Sequence, residues 1–102
     1  MAQAAERSTT SNHSDAALLA MIEHHDILSA KWDLAVKRAP MNGAPTNLIH
    51  ETCDLQRKIV ATPAFTSTGL DAKIRIVRHA EFDDDDGIIA TILELDAERV
   101  AR

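Results

Sequence analysis

Residues 14–39 read SDAALLAMIEHHDILSAKWDLAVKRA, and this stretch sets the architecture of the chain. Apolar residues and one histidine recur there at alternating steps of three and four, which places them along one side of an α-helix. These seam residues are Leu18, Met21, His25, Leu28, Trp32, Ala35 and Ala39. Such a helix measures about 40 Å, more than the width of a compact domain of this size. We therefore expect the seam to need cover from several later helices or from a second copy of the chain.

The ends of this first helix carry recognisable signals. Ser14 is the predicted N-cap, and Asp15 follows it in the first turn, where a negative charge is favourable. Pro40 ends the helix, and residues 40–45, PMNGAP, have the composition of a loop.

A second helix is predicted from about residue 47 to residue 61. Thr46 or Asn47 caps its start, and Pro63 lies just beyond its end. Its apolar stripe consists of Leu48, Thr52, Leu55 and Ile59, widened by Ile49 and Val60.

The third helix is predicted over about residues 67–81. Phe65 and Leu70 have the spacing of a hydrophobic staple around Thr66, whereas Thr68 could begin a rival capping box. Both threonines cannot be the cap, and the staple favours Thr66. The predicted inward residues are Leu70, Ile74, Val77 and Ala80, with Lys73, Arg75, Arg78 and His79 on the other faces.

A fourth helix, about 86–101, follows the acidic run at 83–86, whose charges suit a helix start. Its stripe is Ile89, Ile92, Leu93, Ala97 and Val100. No segment alternates as a strand does. The sequence therefore predicts an all-α protein, a small helical bundle with one long N-terminal helix and three shorter helices. Residues 14–102 form its single domain, and the polar residues 1–13 are expected to be a mobile tail.

Composition excludes several classes of function. The net charge of −5 and the pI near 5.4 oppose phosphate binding by the whole domain. One cysteine, Cys53, rules out an internal disulfide. The longest apolar run, residues 16–22, is far shorter than the roughly 20 residues of a membrane span, and the N-terminus has no apolar signal segment. We expect a cytoplasmic protein that does not enter a membrane.

Residues 50–54, His-Glu-Thr-Cys-Asp, differ at one position from the H-E-x-x-H zinc-protease pattern. Asp54 stands where the second histidine belongs, and a carboxylate is an acceptable zinc ligand. Cys53 could share a helix face with His50, either as a ligand or as a nucleophile. A small metal- or ligand-binding protein using His50 and Cys53 is one alternative, and a solvated helix surface is the other interpretation of these residues.

His24 and His25 point about 100° apart on a helix, so their rings do not converge on one ion. His25 lies in the seam, where burial would lower the pKa of its imidazole. We therefore expect His25 to make the assembly pH-sensitive, which urea melts between pH 5 and 8 would test.

The basic residues of the third helix, Lys73, Arg75, Arg78 and His79, suggest a second alternative. A helical pair ending in a basic helix resembles a DNA reader, which would make the protein a nucleic-acid-linked regulator. The connection between the helices, residues 62–66, is longer than the usual turn, and the acidic remainder opposes phosphate.

Two stretches, ALLAMIEHHDILSAKWD at 17–33 and IVATPAFTSTGLDAKIRIVRH at 59–79, resemble a group of short helical proteins of alphaproteobacteria, especially rhizobia and their relatives. The likeness covers about residues 14–80. It rests on the pair Trp32-Asp33 and on the element T-P-A-x-T-x-x-G-L-x-A-K, here residues 62–73. No activity or cofactor is established for that group, so the resemblance implies a bacterial cytoplasmic setting and favours Thr66 as the cap.

No residue pattern predicts a catalytic site or a cofactor. The leading interpretation is a non-enzymatic helical interaction module, which forms a homo-oligomer or binds a helical protein partner through the seam. The predicted interface residues are Leu18, Met21, His25, Leu28, Trp32 and Ala35.

Overall fold

The computed structural model describes residues 14–102, which form four α-helices and no strand. They are α1 (Ala16–Arg38), α2 (Thr46–Ala61), α3 (Ser67–Ala80) and α4 (Ile88–Ala101). The predicted all-α bundle is confirmed, and α1, with 23 residues, is its longest helix. The predicted tail, residues 1–13, lies outside the described residues.

The four helices pack around α3. α1 lies against α2 and α3, while α4 lies against α3 and α2 and, in the part of the chain described, makes no contact with α1. Asp15 binds Thr66 at the start of α3, and Asp26 binds Arg75 farther along, so α1 and α3 run in the same direction. One long side of α1 is therefore left without a helix against it.

The apolar core joins α1, α2, α3 and the α2–α3 loop, residues 62–66. It consists of Leu18, Ile22, Leu28, Leu55, Ile59, Ala64 and Ile76. α4 adds no fully buried apolar side chain; its buried residue is Asp96. The first half of the predicted seam is thus covered within one chain.

The helix starts confirm some predicted caps and correct others. The Gly69 N–H donates to the Thr66 hydroxyl over 3.0 Å, which confirms Thr66 as the cap of α3. The prediction for α2 was wrong, because α2 begins at Thr46 with Pro45 in the cap position and no side-chain cap. A proline there presets the backbone for a helix start. Ser14, the predicted cap of α1, lies one residue before the cap position, which Asp15 occupies, so that prediction was wrong by one residue. The Ser14 hydroxyl still accepts a hydrogen bond from the Ala16 N–H over 3.1 Å.

Within the acidic run at 83–86, Asp84 is the residue that bonds to the start of α4. The Asp84 carboxylate accepts hydrogen bonds from the backbone N–H groups of Ile89, over 2.8 Å, and Ala90, over 3.1 Å. Backbone N–H groups in the first turn of a helix have no acceptor within the helix itself, and Asp84 supplies one here. The interpretation of the run as a helix-starting feature is confirmed.

The inward faces of α3 and α4 differ from the prediction. α3 buries Gly69, Lys73 and Ile76, whereas the predicted inward residues Leu70, Ile74, Val77 and Ala80 are only partly buried. In α4 the predicted stripe residues Ile89, Ile92, Leu93 and Val100 are partly buried and Ala97 is exposed. The cause is an ion pair between Lys73 and Asp96, which draws both charged residues into the interior.

No helix in residues 14–102 combines the length and the apolar composition needed to cross a lipid bilayer.

Candidate functional site

The side of α1 that faces away from the bundle carries large apolar residues. Leu19, Ile27 and Leu34 are 37%, 50% and 47% exposed, respectively. At 100° per residue these three side chains project within about 80° of one another. They lie opposite the buried seam, so α1 is apolar on both sides. We name this surface the outward face of α1.

The outward face extends along the whole helix. It includes small and charged residues that are also exposed, namely Ala16, Ala20, Glu23, Ala30, Lys31 and Lys37. Small residues allow another helix to approach closely, and large exposed apolar residues gain free energy when they are covered. This arrangement is typical of a helix-packing surface.

The residues of the predicted interface lie mostly on the other side of α1. Leu18, His25 and Leu28 are buried by the chain's own helices, and no second molecule reaches them in this conformation. Met21, Trp32 and Ala35 are partly buried. The need to cover the seam, from which the interface was predicted, is therefore met over its first half by α2 and α3.

A cleft of about 310 Å³ opens where α3 ends, between the second half of α1 and α2. Its lining residues are Ser29, Trp32, Asp33, Thr52, Cys53, Gln56, His79 and Ala80. The Thr52 hydroxyl is already bonded to the Leu48 carbonyl, and the Gln56 amide to His25. The cleft thus places an indole, a thiol and a carboxylate together, with two of its polar groups engaged by the fold.

His25 lies behind this cleft and is buried. Its Nε2 is 3.0 Å from the Gln56 side-chain nitrogen, which donates to the neutral ring. Its buried Nδ1 has no hydrogen-bond partner within residues 14–102, because the nearest Asp26 oxygen is 3.6 Å away. The His79 ring meets it edge-on, with centroids 5.6 Å apart.

Burial lowers the pKa of His25 below its ordinary value, and the nearby Asp26 carboxylate opposes that change. The His79 ring and the Arg75 guanidinium lower the pKa further. Arg75 in turn lowers the pKa of Asp26, to which it donates two hydrogen bonds of 3.1 and 3.0 Å. The folded chain therefore holds the His25 ring neutral at a pH at which the unfolded chain protonates it.

The free energy of unfolding should consequently fall as the pH drops below the ordinary histidine pKa of 6.5. The unfolded chain binds the proton there and the folded chain does not, so protons favour unfolding. One such group contributes a slope of at most about 1.4 kcal/mol per pH unit. Urea melts at pH 5 to 8 measure this slope, and His25→Leu should reduce it. The exposed His50, changed to Gln, is the control and should leave the slope unchanged; an undiminished slope in His25→Leu would refute the assignment.

The metal candidates do not converge. His50 and Asp54 are exposed, Cys53 is partly buried, and Asp54 pairs with Arg57 over 3.1 Å. In residues 14–102 no three His, Cys, Asp or Glu side chains are placed to hold a metal ion together. The geometry therefore gives no support to a metal site at His50, Cys53 and Asp54.

The predicted basic face of α3 is also reduced. Lys73 is buried and paired with Asp96, which corrects its predicted place on an outer face. Arg75 is paired with Asp26. Of the four basic residues, only Arg78 and His79 remain exposed without a carboxylate bonded to them among the described residues. The surface that suggested a nucleic-acid regulator is largely neutralised.

The Lys73–Asp96 pair serves the fold. Asp96 accepts hydrogen bonds from Lys73 Nζ over 2.6 Å, from Arg99 over 2.7 Å and from the Ala64 N–H over 3.1 Å. Lys73 also donates to the Thr62 carbonyl over 2.8 Å. Sequence periodicity missed this pair, since charged residues are normally exposed. Its groups are bonded to one another and to the α2–α3 loop, which gives the pair a structural role.

A third buried charge fixes the other end of the same loop. The Asp15 carboxylate accepts from the N–H groups of Phe65 and Thr66, each over 2.9 Å, and from the Thr66 hydroxyl over 2.6 Å. Sequence reasoning placed Asp15 at the start of its own helix, where it occupies the cap position, but missed that its carboxylate joins α1 to the start of α3. The α2–α3 loop is thus held from three helices.

Comparison with known proteins provides no relative from which a function could be taken. No protein-family model, no curated protein and no solved structure matches the chain. Of the surfaces described, the outward face of α1 is the one whose composition favours binding another macromolecule.

Proposed function

We propose that the protein is a non-enzymatic helical module that self-associates through the outward face of α1. The observation that supports this proposal is the exposure of Leu19, Ile27 and Leu34 along one side of the longest helix. Apolar residues so aligned gain free energy when a second helix covers them. The bundle itself does not use this side.

A second copy of the chain fits this face better than the chain's own N-terminal residues do. Residues 1–13 contain one large apolar side chain, Met1, whereas the outward face of a second copy offers three. The charges of the outward face also favour a second copy, because Glu23 lies in the first half of α1 and Lys31, Lys37 and Arg38 lie in its second half. Two such helices complement each other when they run in opposite directions.

The expected affinity is modest. Full burial of a leucine or isoleucine side chain is worth about 1.5–3 kcal/mol, and about half of each of these residues is already covered. Six such residues in a dimer gain about 6 kcal/mol, and association costs at least about 4 kcal/mol before packing and charge pairing are added. The remaining gain of about 2 kcal/mol would by itself give a Kd in the tens of millimolar. The Kd that we expect, between about 1 µM and 1 mM, therefore requires roughly 2–6 kcal/mol more from the packing of the exposed alanines and from charge pairing.

Ile27→Ser should weaken self-association without weakening the fold. The side chain is half exposed and outside the core, so the free energy of unfolding of the monomer should change by less than about 1 kcal/mol. The dimer loses two isoleucine side chains, so its Kd should rise by at least about tenfold. Sedimentation equilibrium over a concentration series measures the Kd, and urea melts of dilute protein measure the fold.

Leu95→Ser is the matched control, because Ile27 and Leu95 are each 50% exposed and Leu95 lies on α4. This variant should associate as the unaltered chain does. An equal loss of association in both variants would show that general surface hydrophobicity, and not the outward face of α1, holds the chains together.

A further inference from the structure

We propose that the two α1 helices of the dimer lie antiparallel, with a two-fold axis passing beside Ile27, an arrangement that rests on the proposed self-association. In a two-fold dimer the same patch of each copy meets its counterpart. With the axis at Ile27, two residues equally distant from Ile27 in the sequence, one before it and one after it, face each other across the dimer.

Two opposite charges of the outward face lie at equal distances from Ile27. Glu23 lies four residues before Ile27 and Lys31 four residues after it, and both are exposed. Within residues 14–102 neither takes part in an ion pair, whereas the neighbouring His24 and Asp26 do. In the antiparallel dimer each Glu23 faces Lys31 of the second copy, which forms two equivalent opposite-charge pairs.

A small and a large side chain also lie at equal distances from Ile27. Ala20 lies seven residues before Ile27 and Leu34 seven residues after it. Leu34 of each copy therefore faces an alanine, and the small residue leaves room for the large one. Farther out, Ala16 and Arg38 stand at equal distances from Ile27, so the arginine stem can cover the alanine.

A parallel pairing lacks this complementarity. It places Glu23 beside Glu23 and Lys31 beside Lys31, which repel each other. It also sets Leu34 against Leu34 and Ala20 against Ala20, so that the helices are held apart at one end and leave a gap at the other. The antiparallel arrangement satisfies charge and size together.

Charge reversal tests the pairing. Glu23→Lys and Lys31→Glu, each made alone, turn both attractive pairs into repulsive ones and should raise the Kd by about tenfold. The double variant carrying both changes restores opposite charges and should return the Kd to within about twofold of the unaltered chain. A parallel dimer predicts no loss in either single variant, because its facing charges are alike before and after each change.

Disulfide trapping gives an independent measure of the register, in a Cys53→Ser background. Ile27→Cys lies on the axis and should form a cross-linked dimer under a mild oxidant. Leu34→Cys should not, because the two cysteines are about 21 Å apart along the helices. Mixed chains carrying Ala20→Cys and Leu34→Cys should cross-link to each other.

The outcomes separate this inference from the proposed function. A chain that dimerises, but whose single charge variants bind as tightly as the unaltered chain and whose Leu34→Cys variant cross-links to itself, contradicts the antiparallel register alone. A chain that stays monomeric at all concentrations contradicts the proposed function, and the register with it.

Discussion

Asp96→Ala should lower the free energy of unfolding by about 3–5 kcal/mol. Asp96 is 1% exposed and Lys73 is 0% exposed, so the truncation leaves an ammonium group buried without its counter-ion. The Ala64 N–H and the Arg99 guanidinium also lose their acceptor. Because small domains are stable by about 5–15 kcal/mol, urea melts should show a large shift of the midpoint.

Two comparisons make this expectation specific. Glu98→Ala removes an exposed acid from the same helix and should change the free energy of unfolding by less than about 0.5 kcal/mol. Adding Lys73→Met to Asp96→Ala removes the orphaned charge and should recover part of the loss. A loss below about 1 kcal/mol in Asp96→Ala would show that the buried pair does not hold α3 and α4 together.

Gly69→Ala should also destabilise the fold, by about 2–4 kcal/mol, although alanine is the better helix former. A β-carbon at this position would lie 2.6 Å from the carboxyl carbon of Asp15, so the carboxylate must leave its place. Its three hydrogen bonds to Phe65 and Thr66 are lost with it. Glycine is required here by the close approach of another side chain.

The double variant shows whether the clash between residue 69 and Asp15 causes the loss, because the two free-energy losses should then not add. Asp15→Ala should cost a similar amount, because it removes the same three hydrogen bonds. The double variant should be no less stable than Asp15→Ala, and the better helix propensity of alanine should make it about 1 kcal/mol more stable. Losses that add up across the two sites would mean that Gly69 and Asp15 act independently.

The fold class and most helix boundaries could be predicted because they depend on local chemistry. Pro63 follows the end of α2, and Thr66 caps α3 through its own hydroxyl. The spacing of Phe65 and Leu70 identified Thr66 over the rival Thr68. Signals of this kind act within one turn of a helix and can be read from adjacent residues.

The inward faces could not be predicted in the same way, because they depend on partners distant in the sequence. Lys73 and Asp96 are 23 residues apart, and each is polar within its own helix. Periodicity therefore places them outside, and only their juxtaposition in the fold makes their burial favourable. Asp15 is a similar case, since its partners lie 50 and 51 residues away.

The candidate surface was obscured for a different reason. α1 carries apolar residues on two opposite sides, one buried, with Leu18, Ile22 and Leu28, and the other the outward face. Sequence spacing finds the first side because it is continuous, but it does not show which side the chain covers itself. The packing of α2 and α3 settles that point and leaves Leu19, Ile27 and Leu34 exposed.

Sedimentation equilibrium of the unaltered chain, from about 5 µM to 2 mM, spans the Kd range expected for this dimer. We expect the weight-average mass to rise from the 11.2 kDa of one chain towards twice that value, without exceeding it. A mass that stays at 11.2 kDa across the whole series would contradict self-association through the outward face of α1.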